Sequence, residues 1–415
     1  MVKILVIIDA INDKPCKVLN GLTPLEAAET PNLDYFASKS NGGSFYSINE
    51  KTIPRSQDAL ISLLGYDLQK YQFAKGPLEA FGEGMDFKKG DLAFSTSFAT
   101  VENENIIDKR VGRSLSSKEA EELTEYLIRN LKLGVQFDFK HLIGHKGILV
   151  FKGNYSENIT SVDPSYKKIG KFGVHTLSEK EKLNEARALD PSSNSKLSAK
   201  LVNEFVKQSH ELLKNHPINI KRNKKYLLPA NVVIPREAGI SLISLPKRAN
   251  WGAIVSSPME KGILKLSGAQ ILEIKYPEMK DSNVYENLFD GVKEIINFSI
   301  KELKQKSYQK YIIHFKELAV ASKDNKPLEK KKIIELIDKK FFGFLKDIEN
   351  DIEFVVTGNY SITSELRTYS ADLIPFIHFG KNKINSISRF TENEALKGSY
   401  SNLYAKDVLK AIKFL

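Results

Sequence analysis

A chain of 415 residues that is 41% hydrophobic and 27% charged has enough apolar material for one large core or two linked ones, which excludes a disordered chain. A single cysteine, Cys16, excludes an internal disulfide framework and suits a reducing, cytoplasmic setting. The net charge of +11 and pI near 9.2 favour acidic partners such as phosphorylated metabolites, RNA or an anionic surface, or else reflect only a lysine-rich genome.

The opening MVKILVIIDA places a short apolar run after one lysine, and reads as a buried strand, Val2–Ile8, rather than a signal peptide. No apolar run approaches the ~20 residues that a membrane helix needs, so no membrane partner is expected. In LTPLEAAETPNLDYFAS, Thr23 with Pro24 and Glu26 spells a capping box, and Thr30 with Pro31 repeats the device for the next helix. Further strands are expected at Gly147–Phe151, Asn231–Ile234, Gly252–Val255, Ile271–Ile274, Tyr311–Phe315, Glu353–Val356 and Pro375–Phe379. Helices are expected at Lys118–Leu131, Ser195–Leu213, Val284–Lys304, Lys330–Leu345 and Ala405–Lys413. This alternation is that of an α/β protein with a largely parallel sheet. The polar stretch Asp163–Asn194 reads as a long loop. Three basic clusters, Lys221–Lys225, Lys304–Lys310 and Lys330–Lys332, read as solvated faces, because few aromatic residues are interleaved with them.

Several segments share an order with one known family. LVIIDAINDKP, LTPLEAAETPNLDYFA, IPRSQDALISLLGYDLQKY and KGPLEAFGEGMDFKKGDLAFSTSFATVENENIIDKRVGR run densely to Arg113. GHKGILVFKG, the Asp-Pro at Asp163, LVNEFVKQSHELLKNHPINIKR and LPANVVIPREAG follow more sparsely. The chain thereby resembles the archaeal-type, 2,3-bisphosphoglycerate-independent phosphoglycerate mutases of the alkaline-phosphatase superfamily. The resemblance implies an alkaline-phosphatase-like αβα core sheet, residues 1–75 plus 245–415, interrupted by an inserted α/β domain, residues 76–244, that closes over the substrate.

It also implies a chemistry. A serine takes the phosphoryl group from one hydroxyl of glycerate and returns it to the other, and two divalent metals (Mn, Co, Mg or Zn) lower the serine pKa and clamp the phosphate. Ser56, ahead of the apolar run Ala59–Leu64 and so at a helix N-terminus, matches the nucleophile, and Asp9 matches the first metal-binding aspartate. Asp9 and Ser56 are the only metal ligands that match. Ala319, Lys323, Asn359, Tyr360 and Tyr369 stand where the family's other ligands fall, with Glu317 and Asp324 nearby but out of register. Ala10 also replaces a family glycine. Asp108, Arg110, Arg113, His145, Arg222 and Arg236 fall where the family has substrate-binding polar residues, whereas Ser95 and Trp251 replace a family arginine and lysine.

On this reading the chain is expected to be a pseudoenzyme without a metal cofactor. It would act by binding a protein (a competent mutase relative among them), the ribosome or RNA, or a phosphoglycerate-like anion. The alternative is an active mutase that interconverts 3-phosphoglycerate and 2-phosphoglycerate in glycolysis with two divalent metals.

Overall fold

The structure is a computed structural model that describes residues 1–103, 105–169, 172–175, 182–248, 250–279, 283–380 and 387–414. It comprises two units. The first contains Met1–Gln72, Ser244–Pro277 and Leu288–Leu415, and the second contains Phe73–Ile243 and Glu278–Asn287.

The first unit is built on an eight-stranded sheet. The run VKILVII at Val2–Ile8 is buried on both faces from Ile4 onward, which suits only an interior parallel strand covered on each side. It pairs in parallel with Lys310–Phe315 on one side and Ile352–Thr357 on the other. Beyond Lys310–Phe315 lie Trp251–Ile254 and the edge strand Gln270–Ile271, also parallel. Beyond Ile352–Thr357, the sheet continues through Ile374–Phe379, Asn41–Tyr46 and Tyr400–Tyr404. Ile374–Phe379 runs antiparallel to both its neighbours.

One core joins Ile4, Val6, Ile8, Ile313, Phe315 and Phe354 to Val292 and Ile296 of the helix Val284–Gln305, and to Ile333 and Ile337 of Pro327–Ile337. Phe36 meets Phe354 and Phe379 edge-on at 4.9 and 4.8 Å between ring centroids. Each such buried side chain contributes roughly 1.5–3 kcal/mol of burial free energy. The carboxyl ends of the parallel strands therefore gather along one rim, where an open α/β sheet leaves a crevice.

Local signals were partly kept. The Thr23 capping box is present, with Thr23 Oγ1 accepting from Glu26 N and Glu26 Oε2 accepting from Thr23 N, both at 3.0 Å. Thr30 makes no such bond. The helix Pro31–Ala37 is instead capped by Asp338, which accepts from Leu33 N at 2.6 Å and Asn32 N at 3.3 Å. Asp338 can reach because the expected helix Lys330–Leu345 is broken: Pro327–Ile337 gives way to a π-helical turn, Asp338–Phe342, before Gly343–Asp347.

The second unit has a five-stranded sheet around the long strand Leu92–Glu102, which pairs antiparallel with Lys146–Phe151, Val232–Gly239 and Asn105–Asp108. Phe137–His141 adds to Lys146–Phe151. The helices Ser117–Asn130 and Ser193–Leu213 contribute Leu123, Leu127, Val202 and Phe205 to its core. Part of the stretch expected as a loop is a hairpin, Tyr166–Ile169 with Phe172–His175, while 170–171 and 176–181 lie outside the described residues. No helix among the described residues is long and apolar enough to cross a membrane.

A polar cluster ties the N-terminal segment to the C-terminal third. Asp13, fully buried at its carboxylate, binds Lys330 Nζ at 2.8 Å. Glu392 accepts from Asp13 N at 3.0 Å and Thr23 Oγ1 at 2.8 Å. Burial pushes the Glu392 carboxyl up to about 7, against the pull of these hydrogen bonds. A carboxyl raised in the folded state stabilises it fully below the unfolded pKa, near 4.5, and that stabilisation is lost as pH rises through about 7. Urea denaturation from pH 4.5 to 8 should show wild-type stability falling relative to Glu392→Gln across that window. Parallel curves would show that Glu392 keeps an ordinary pKa.

Candidate functional site

Asp9 follows the central strand directly, its N–H donating to Phe315 O at 2.8 Å. The chain then turns at Ala10 in the left-handed region, φ +54°, a conformation that disfavours a side chain by roughly 1–2 kcal/mol. The Asp9 carboxylate is fully buried. Its Oδ1 contacts His314 Nε2 at 2.6 Å, and its Oδ2 accepts from the Tyr360 hydroxyl at 2.6 Å. His314 comes from Lys310–Phe315, and Tyr360 from the turn after Ile352–Thr357. Glu260, on the helix Pro258–Leu266 that follows Trp251–Ile254, completes the group. Four adjacent parallel strands thus deliver the site.

Glu260 is also fully buried, its Oε1 2.5 Å from Lys316 Nζ, which donates as well to Ser257 Oγ at 2.7 Å. Glu260 Oε2 has no hydrogen-bond partner. Burial pushes the Glu260 carboxyl up, but Lys316 and His314 outweigh it and hold it down at about 2. Burial lowers the His314 imidazole, yet Asp9 in contact, with Glu260 behind it, leaves it raised. Two buried carboxylates thus share the His314 imidazole and the Lys316 ammonium as their partners. Burial raises Glu317, which accepts from the Tyr276 hydroxyl at 2.9 Å. Ligand atoms of Asp9, Glu260 and His314 lie within 4.8 Å of one another, close enough to hold one cation. The expectation that no metal is held is therefore unsupported, since two carboxylates and an imidazole suit a divalent ion.

Ser56 opens the helix Ser56–Leu63, its hydroxyl 3.6 Å from the Met259 thioether. Its neighbour Arg55 chelates Asp58 through Nε and Nη2, both at 2.7 Å. Ala319 packs with Ala10, Ala59, Tyr360 and Ile362 in a small apolar cluster that Tyr369 covers. Lys323 Nζ donates to the Tyr369 hydroxyl at 2.8 Å, and the Tyr360 and Tyr369 rings meet edge-on at 5.1 Å. Asn359 is buried with its side-chain amide unbonded, while its carbonyl accepts from Ser47 Oγ at 2.7 Å.

The second unit gathers its own charges. Asp108 Oδ1 accepts from Arg110 N at 2.6 Å and Gly112 N at 2.9 Å. These bonds pin a turn in which Val111, Gly112 and Arg113 all have positive φ. His145 is pushed well below its ordinary pKa by burial and then by Arg113, Lys146, Arg110 and Arg236, so it stays neutral among cations. Arg236 Nε donates to Asp163 Oδ2 at 2.6 Å, and Lys109 Nζ reaches Asp163 Oδ1 at 2.6 Å. Buried Arg236 Nη2 has no partner. Arg222 serves differently. Its guanidinium donates to Leu228 O at 2.8 Å, Glu119 Oε2 at 2.8 Å and Ser114 Oγ at 2.7 Å. It clamps the start of the helix Ser117–Asn130.

Sequence reasoning named Asp9, Ser56 and the arginines but missed Glu260, His314 and Lys316. A histidine inside the apolar run YIIHF was the available signal, because an ionisable ring in a buried strand needs a partner.

Comparison with known proteins is consistent across the chain. The family model described as 2,3-bisphosphoglycerate-independent phosphoglycerate mutase matches residues 37–219, and that of the Metalloenzyme superfamily matches 262–412. The chain is 34% identical to 2,3-bisphosphoglycerate-independent phosphoglycerate mutase 1 of Methanocaldococcus jannaschii, over 99% of this chain and 96% of that protein. It is 32% identical to the Pyrococcus horikoshii mutase, over 98% and 95%. Among solved structures, a Pyrococcus horikoshii protein superposes with a TM-score of 0.73 at 24% identity, over 100% of this chain and 96% of that one. The cofactor-independent phosphoglycerate mutase of Thermoplasma acidophilum superposes with a TM-score of 0.54 at 27% identity, over the whole of both chains.

The Lys316–Glu260 pair can be tested by stability. Removing one partner leaves a buried charge uncompensated, so Lys316→Met should destabilise by about 3–5 kcal/mol in urea denaturation, and adding Glu260→Gln should restore much of that. A Lys316→Met protein as stable as wild type would show that the pair is not formed.

Proposed function

The chain belongs to the 2,3-bisphosphoglycerate-independent phosphoglycerate mutase family, and on that premise we propose that it retains the family's fold as a binder of phosphorylated three-carbon acids without the family's two-metal phosphoryl transfer. The observation that carries this reading is the Tyr360 hydroxyl on Asp9, at 2.6 Å. It takes up the Asp9 oxygen that His314 leaves free. Phosphoryl transfer from a serine needs strong positive charge beside the oxygen. The positions expected to hold further ligands carry the apolar Ala319, the cationic Lys323, the amide Asn359 and the phenols Tyr360 and Tyr369. Of these five only Asn359, whose buried amide has no partner, offers a neutral oxygen suited to a divalent ion. This donor set does not fit two divalent metals. Losing that charge raises the barrier by several kcal/mol, and each ~1.4 kcal/mol is a factor of ten in rate.

The second unit supports binding. Arg236 Nη2, buried without a partner and near neutral His145, offers a charged donor to a phosphate or carboxylate. A second reading is favoured by the Asp9, Glu260 and His314 group and by the mutase names of the relatives. Here one divalent ion held by that triad would supply Lewis-acid charge, and Ser56 would be the nucleophile. The ion would have to displace the proton that His314 shares with Asp9.

Purified protein should show no conversion of 3-phosphoglycerate to 2-phosphoglycerate above the Ser56→Ala variant, with or without Mn²⁺. Added 3-phosphoglycerate should raise its melting temperature, and Arg236→Ala should remove that rise. Turnover that depends on Mn²⁺ and vanishes in both Ser56→Ala and Glu260→Gln would sink the binding reading and establish the one-ion mutase.

A further inference from the structure

Tyr226 is 99% exposed, the most exposed of the large hydrophobic side chains among the described residues. It follows the short helix Pro217–Lys224 and has φ +56°. Its N–H donates to Asn223 O at 3.0 Å, and the next residue, Leu227, donates to Arg222 O at 2.9 Å. These two bonds end the helix with a left-handed residue, a position that glycine fills at least strain. A bulky aromatic there is an outlier. Arg222, through its bonds to Leu228, Glu119 and Ser114, ties the end of this helix to the start of Ser117–Asn130.

Lys221, Lys224 and Lys225 are exposed, and their spacing sets them on one helical face. None of the three makes an ion pair among the described residues. From Leu212 to Arg236 the chain carries no acidic residue. Cations at a helix C-terminus are favoured by the helix dipole, which accounts for the lysines. It does not account for a tyrosine that is both strained and exposed to water. Such an outlier, kept without a packing role, points to a function.

We propose that Tyr226 and Lys221, Lys224 and Lys225 form a binding surface for single-stranded RNA, the phenol stacking on a base and the ammonium groups holding flanking phosphates. An aromatic platform beside unpaired lysines is the combination that single strands use, and stacking tolerates any sequence because every base has a flat face. An acidic peptide would use the lysines and leave the ring without a purpose. The inference does not depend on whether Ser56 still transfers phosphate.

The test is fluorescence anisotropy of the full chain with a labelled oligouridylate at 50 mM and 200 mM salt. Tyr226→Ala should weaken binding by about 5- to 150-fold, the range expected for one stacked base, and Tyr226→Phe should restore it. Replacing the three lysines by glutamine should reduce the slope of log affinity against log salt by about 2. Tyr226→Gly should melt at or above the wild-type temperature, since it relieves the left-handed strain. Several results would overturn the proposal: no binding at 50 mM salt, binding unchanged in Tyr226→Ala, displacement by polyglutamate as readily as by unlabelled oligouridylate, or a lower melting temperature in Tyr226→Gly.

Discussion

Asp9 sets the terms for everything around it. A carboxylate fully buried at the end of the central strand is stable only if its charge is answered there, because desolvating an ion costs several kcal/mol. His314 and Tyr360 answer it, one on each oxygen, and each is brought by a strand that neighbours Val2–Ile8. The same demand passes outward to Glu260, which also faces His314 and is balanced by Lys316. The rim of the sheet thus couples Asp9, His314, Glu260 and Lys316, so that a change of charge at one is felt by the others.

The charged group of the second unit is built around another buried carboxylate, Asp163. Asp163 occupies one edge of Arg236 and the ammonium of Lys109. Its carboxyl is pushed up by burial but held below the usual range by those two cations. His145 is held neutral by burial and by Arg113, Lys146, Arg110 and Arg236. In both units a buried carboxylate is answered by cations that segments far apart in the chain bring to it.

The sequence made some of this legible for physical reasons. Asp9 and Ser56 sit where an apolar run ends or begins, so position along the chain located them at the ends of a strand and a helix. The Thr23 box is a contact between residues three apart, within reach of local reading. What escaped was set by distance along the chain. Glu260, His314 and Asp9 meet only through sheet order, and Asp338 caps Pro31–Ala37 from across the core. Leu92–Glu102, the longest strand, was missed because it is buried on both faces and carries Ser and Thr at interior positions, which erases the period-two pattern. Asn41–Tyr46 hides behind two glycines. A side chain at Gly43 would collide with the Tyr400 carbonyl, which approaches within 1.9 Å of where it would stand.

The sheet order also bears on how the protein is made. Val2–Ile8 is synthesised some three hundred residues before its two neighbours, Lys310–Phe315 and Ile352–Thr357. At about 5–20 residues per second, the most apolar strand of the molecule waits roughly 15–70 s for a partner. Most of the second unit, Phe73–Ile243, is continuous in sequence and can fold in the interval. The newborn chain therefore carries an unpaired apolar segment while most of the second unit is already able to fold, and that segment stays open to wrong partners until residues 310–357 have emerged.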